Sequence, residues 1–106
     1  MLFRSIVGFG AIGRQVAQRL RGFACRIIAV TRSGAAEAAA DQALPVARLE
    51  EALALADAVV LTLPLSAATR HLLDARRFSA CRHECVVVNV SRGAIIDTGA
   101  KSRFQS

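Results

Sequence analysis

The chain has 106 residues, 54% of them hydrophobic, 5% aromatic and 21% charged, with a formal net charge of +6. That length holds one small domain and a single core, and the apolar content excludes a disordered tail. The excess of Ala, Val, Leu and Ile over aromatic residues suits helices packed on a sheet better than an aromatic-rich sandwich.

The N-terminal piece MLFRSIVGFG carries an arginine inside its short apolar run and passes directly into a glycine-rich turn, so it does not read as a secretory signal. The first strand is predicted at residues 5–8, and VGFGAIGRQVAQRL follows with glycines at Gly8, Gly10 and Gly13. Ile12, Val16 and Leu20 then recur every four residues, with Arg14, Gln15, Gln18, Arg19 and Arg21 between them, which predicts an amphipathic helix. A β-branched run at residues 27–30 predicts the second strand. The alanine-rich segment 33–41 fits either a helix or a loop, and residues 44–47 form a weaker strand candidate.

Leu49, Ala52, Leu53 and Ala56 make a second helical stripe, with Glu50 and Glu51 in its first turn, where the helix dipole favours acid. Residues 58–63 (AVVLTL) and 85–90 (CVVVNV) are nearly continuous apolar runs, the pattern of strands covered on both faces of a parallel sheet. The alternation implies βαβ units: an α/β, Rossmann-type doubly wound parallel sheet forming a single incomplete domain. The strand at residues 5–8 is expected at the centre, between those at 27–30 and 58–63, with 85–90 beyond the latter.

A glycine triplet alone is weak evidence for a nucleotide site, but here a strand precedes it, a helix starts inside it and a second strand follows. In that setting Gly8 permits the tight turn, Gly10 lets the backbone approach a pyrophosphate and Gly13 lets the helix pack close to the strand. Backbone N–H groups near Ala11 and Ile12 then face the anion. The second strand ends in Thr31, Arg32 and Ser33, with no acid at that point to bind a ribose 2′-hydroxyl. An arginine and two hydroxyls suit a 2′-phosphate, so the expected cofactor is NAD(P), with NADP favoured over NAD.

Other partners find little support. The arginines are dispersed, without a run of five or more basic residues, and there is no Trp or Tyr to stack on bases, so no nucleic acid is expected. No apolar run reaches the roughly 20 residues of a membrane span. A cytoplasmic protein without membrane contact is expected, and a homodimer is compatible with the sequence. Cys25, Cys81 and Cys85 are too few for a disulfide framework. Cys81, His83 and Cys85 lack a fourth ligand, so they read as packing and loop residues with no metal.

Three segments together carry a family resemblance: GFGAIGRQVAQRLRGF, LEEALALADAVVLTLPLSAATRHLLDARRFSAC and VVVNVSRGAIIDTGA. From about residue 5 to residue 100 the chain resembles the cofactor domain of the D-isomer-specific 2-hydroxyacid dehydrogenases. NVSRGAIID argues against the 3-hydroxyacid dehydrogenases, which share the glycine turn. The resemblance implies hydride transfer between a nicotinamide and a small 2-oxo or 2-hydroxy acid such as glyoxylate or hydroxypyruvate.

It also implies site roles. Ala11 and Ile12 would hold the pyrophosphate, and Thr31 with Arg32 would meet the adenosine ribose. Leu63, Pro64 and Thr69 would flank the cofactor, and Val90, Ser91 and Arg92 would approach the nicotinamide. Arg92 matches the arginine that clamps the substrate carboxylate and polarises the carbonyl. The expected division is a dinucleotide-binding domain at residues 1–100 and a divergent tail at 101–106, where the family pattern is lost. Neither the family's substrate domain nor its acid–base glutamate and histidine has a counterpart here, and His71 and His83 fall outside that histidine position. The chain alone is therefore expected to bind cofactor without efficient turnover. A non-catalytic nucleotide-binding or interaction module and an inactive gene fragment are the alternative readings.

Overall fold

The computed structural model describes residues 2–63, 72–82 and 84–90. Five strands are present: β1 Leu2–Val7, β2 Cys25–Thr31, β3 Gln42–Pro45, β4 Ala58–Leu61 and β5 Val86–Asn89. Between them lie helix α1 Ala11–Leu20, helix α2 Leu49–Leu55 (entered through a 3-10 turn, Val46–Arg48) and the short helix α3 Ala75–Phe78. All strand pairs are parallel and the order is β3-β2-β1-β4-β5. The first strand is thus central, flanked as the sequence predicts, and the weak candidate at 44–47 is a true strand beginning two residues earlier.

The crossovers place helices on both faces. On one, Ala17 of α1 packs with Ile6, Ile27 and Ala29. On the other, Leu49, Ala52 and Leu53 of α2 pack with Val7, Ile28, Val30, Val59, Leu61 and Val87. Alternate residues of the inner strands serve opposite cores, which is why β1 and β2 need apolar side chains at successive positions.

Three expectations change in detail. The α1 stripe is rotated: Gly13 and Ala17 are the buried positions, whereas Ile12 is 58% exposed on the first turn. Small residues win the inner face because the helix lies so near the strand. Segment 33–41 is a loop despite its alanines. Gly34 takes a left-handed φ of +76°, its N–H donates to Thr31 Oγ1 at 2.8 Å, and Pro45 crowds it, so the chain turns before a helix can start.

The third change concerns β5, which is covered on one face only. Val87 is buried, but Val86 and Val88 are 55% and 41% exposed. They stand beside Ala58 and Val60 on the α1 side of the sheet, where α1 packs over Ile6, Ile27 and Ala29 instead.

Cys85 lies buried in the α2-side core, while Cys25 and Cys81 are half-buried. A hydrogen bond with Cys81 holds the Cys85 thiol below the ordinary thiol range, against burial and the nearby Asp57, which push it up. Among the described residues no three His, Cys, Asp or Glu side chains gather as metal ligands; His83 is not among them. No helix of the described residues is long and apolar enough to cross a membrane.

Candidate dinucleotide site

The three glycines of the turn do different work. Gly8 ends β1 with a φ of +86°, and its N–H donates to the Val30 carbonyl at 2.8 Å. A Cβ there would lie 2.6 Å from Leu63 Cδ2 and 3.2 Å from Leu63 Cα. At Gly13 a Cβ would meet the Gly8 carbonyl oxygen at 2.6 Å, so this glycine sets how closely α1 approaches β1. The Thr62 hydroxyl donates to the same carbonyl and fastens the turn to the end of β4.

Gly10 differs from both. Its backbone is extended (φ −86°) and a Cβ would meet nothing within 4 Å. The open space lies where α1 begins. Gly10 provides no side-chain cap, and the first turn contains no acid, although the Gly10 carbonyl already accepts the Arg14 N–H at 2.9 Å. The first N–H groups of α1 have no carbonyl one turn back, and the helix dipole adds positive potential.

A cleft of about 570 Å³ opens at the C-terminal ends of β1, β2 and β4. Of the residues named from the sequence, Gly8, Gly10, Thr31, Arg32, Ser33 and Leu63 line it. Ala11, Ile12 and Gly13 form the α1 turn next to it. Val90 is not brought in: it is exposed, and its N–H extends the ladder to the Leu61 carbonyl at 3.0 Å. Pro64, Thr69, Ser91, Arg92 and His71 lie outside the described residues.

At the rim, Thr31 Oγ1 accepts the Gly34 N–H and Ser33 Oγ accepts the Ala35 N–H at 3.2 Å. Among the described residues neither hydroxyl donates a hydrogen bond, so each can donate to an anion. Arg32 is exposed and, among the described residues, makes no ion pair. Val7, Val30, Val46, Leu63 and Leu72 supply apolar walls of the kind that cover flat rings.

Sequence reasoning missed Glu37. It enters the cleft from the loop after β2 and is bound by Arg14 of α1. Nothing in the local sequence marks it, because the pairing depends on the path of a loop that propensity leaves undecided.

Residues 4–101 match the family model described as D-isomer specific 2-hydroxyacid dehydrogenase, NAD binding domain. Similar curated proteins include a glyoxylate reductase of Thermococcus kodakarensis and a D-specific alpha-keto acid dehydrogenase of Enterococcus faecalis. Each is 39% identical over 95 residues, covering 90% of this chain and 28% of the relative. Among solved structures, phosphoglycerate dehydrogenase from Lactobacillus plantarum superposes with a TM-score of 0.90 at 27% identity, covering 95% of this chain and 33% of that one. An acyclic imino acid reductase (Bsp5), solved in complex with NADPH and D-Arg, gives a TM-score of 0.84 at 25% identity, covering 93% and 31%. The chain thus spans under a third of the length of these curated relatives. It has the strand order, the glycine turn and the cleft of a dinucleotide domain, and it belongs to the D-isomer specific 2-hydroxyacid dehydrogenase family, as that family's NAD-binding domain.

Proposed function

We propose that this chain binds a nicotinamide dinucleotide, NADP in preference to NAD, and serves hydride transfer on a small 2-oxo or 2-hydroxy acid such as glyoxylate or hydroxypyruvate. The observation that carries the reading is the space at Gly10, which any side chain would fill, at the uncapped start of α1 and on a cleft reaching the end of β2.

In this reading the backbone N–H groups of Ala11 and Ile12 hold the pyrophosphate. Arg32, with the free hydroxyl protons of Thr31 and Ser33, binds the phosphate on the adenosine ribose. Leu63 and the apolar wall orient the rings, and Pro64 and Thr69 flank them by family resemblance. By the same resemblance Val90, although it does not line the described cleft, and Ser91 would approach the nicotinamide, and Arg92 would clamp the substrate carboxylate and polarise its carbonyl. When bound, the nicotinamide supplies or accepts the hydride.

The titratable side chains lining the cleft, among the described residues, are Arg32 and the ion-paired Glu37. Arg32 is a permanent cation and Glu37 is held by Arg14, so for this chain alone we propose binding without efficient turnover. The preference for NADP rests on Arg32 and the two hydroxyls, and the solution of the similar imino acid reductase in complex with NADPH is in keeping with it. Calorimetric titration with NADPH and NADH tests the reading. Tighter binding of NADPH is expected, and absence of heat with both would refute it.

A further inference from the structure

Glu37 sets a chemical conflict inside the proposed site, and the role assigned to it rests on the nucleotide-binding reading of that site. A bare carboxylate in the same cleft as Arg32 and Ser33 would draw on Arg32, repel a 2′-phosphate and reward a ribose hydroxyl. Yet Glu37 is not bare. Arg14 reaches across from α1 and grips it with two nitrogens: Nε lies 3.3 Å from Oε1, and Nη2 lies 3.2 Å from Oε1 and 3.3 Å from Oε2.

The grip is a held one. The Arg14 guanidinium lies over the Phe9 ring, 5.8 Å from its centroid, and Phe9 is itself buried in the glycine turn. The Glu37 side chain is only 21% exposed, so its charge is less screened by water than that of an ordinary surface carboxylate. A second tie, from Arg21 Nη2 to the Ala38 carbonyl at 3.1 Å, holds the same loop against α1. Loop position therefore does not depend on Arg14 alone, which separates its charge from any purely mechanical role.

We infer that Arg14 is a specificity-determining residue. By neutralising Glu37 it allows a cleft that contains an acid to accept a 2′-phosphate, and the Arg14–Glu37 pair acts with Arg32 in setting NADP over NAD. Arg14 makes no contact with the phosphate in this scheme. It removes a repulsion.

The test is a double-mutant cycle on the full chain, Arg14→Gln, Glu37→Gln and both together, with NADPH and NADH affinities measured by titration. Arg14→Gln is expected to weaken NADPH about tenfold, the size of one uncompensated charge in partly solvated surroundings, while NADH stays within about twofold. Glu37→Gln should keep or improve NADPH binding, and the double variant should recover it. Equal weakening of both nucleotides by Arg14→Gln would make the pair a mechanical clasp and overturn the inference. So would an unchanged ratio, or a double variant that fails to recover. Failure of the unmodified chain to bind either nucleotide would bring down the reading of the site and this inference with it, an outcome distinct from binding with an unmoved ratio.

Discussion

Asp57 holds both backbone groups of Phe3: its own N–H donates to the Phe3 carbonyl at 2.9 Å, and its Oδ2 accepts the Phe3 N–H at 2.8 Å. In a parallel ladder that second acceptor is normally the carbonyl two residues earlier, but that residue, Leu55, still belongs to α2. The carboxylate stands in for it and starts β4 without a gap. Asp41 does the same for Ile27 at the start of β3, with distances of 2.9 and 2.8 Å. Asp57→Ala should cost about 1–3 kcal/mol, because it strands a partly buried N–H. Asp57→Asn, which keeps the acceptor and loses the ion pair with the exposed Arg82, should cost less. Urea unfolding of the two variants checks the order.

Ser5 is fully buried in β1, and its hydroxyl donates to the Ala52 carbonyl at 2.9 Å. Ala52 lies in the last turn of α2, where carbonyls lack helical partners. Ser5→Ala should destabilise by about 1–3 kcal/mol through the orphaned carbonyl, and thermal melts would show it as a lowered midpoint.

Gly10→Val and Gly13→Ala should separate binding from folding. Gly10 is extended and has free space, so the valine variant should melt near the parent and lose nucleotide binding. The smaller change at Gly13 forces a Cβ against the Gly8 carbonyl and should cost about 1–3 kcal/mol. Unchanged nucleotide affinity in Gly10→Val would show that the turn holds no phosphate.

Much of the fold and the glycine turn was legible in the sequence. Sheet order followed from β-branched runs joined by right-handed crossovers, and the turn was placed by its flanking strand and helix. The features that escaped depended on where other segments arrive. The separate roles expected of Gly8, Gly10 and Gly13 agree with the geometry, but the groups that enforce them, Leu63 at Gly8 and the Gly8 carbonyl at Gly13, could not be named from spacing. Glu37 reached the cleft through a loop with no periodic signal, and nothing in the local sequence marked Asp41 or Asp57 as the carboxylates that start β3 and β4. The run at 85–90 is nearly continuous in apolar residues, yet its exposed valines show that composition does not reveal whether a helix lies above a given face.

Arg32→Asp should shift preference from NADP towards NAD by removing a charge-assisted bond to the 2′-phosphate and supplying an acceptor for a hydroxyl. Paired titrations with the two nucleotides read the change. If the parent binds both equally and the variant alters neither, Arg32 is an ordinary surface arginine.

Turnover by this chain alone should be negligible with glyoxylate, hydroxypyruvate or pyruvate, followed as NADPH or NADH oxidation. Proton delivery by a placed acid is worth about 10²–10⁴ in rate, and the titratable side chains lining the cleft, among the described residues, are the permanent cation Arg32 and the ion-paired Glu37. A rate near the roughly 10 s⁻¹ typical of enzymes would show that another residue of the chain has taken the role.

The central position of β1 has a consequence for the order of folding. In chain order β2 follows it as one neighbour after a short helical crossover, but its other neighbour, β4, is entered through Asp57, 54 residues beyond Phe3. Until that point emerges, one edge of the innermost strand carries open N–H and carbonyl groups. Covering that edge therefore waits on contacts distant in sequence, a topology that slows folding and lengthens the exposure of the edge. A nascent chain stopped short of Asp57 would present its central strand as an adhesive surface.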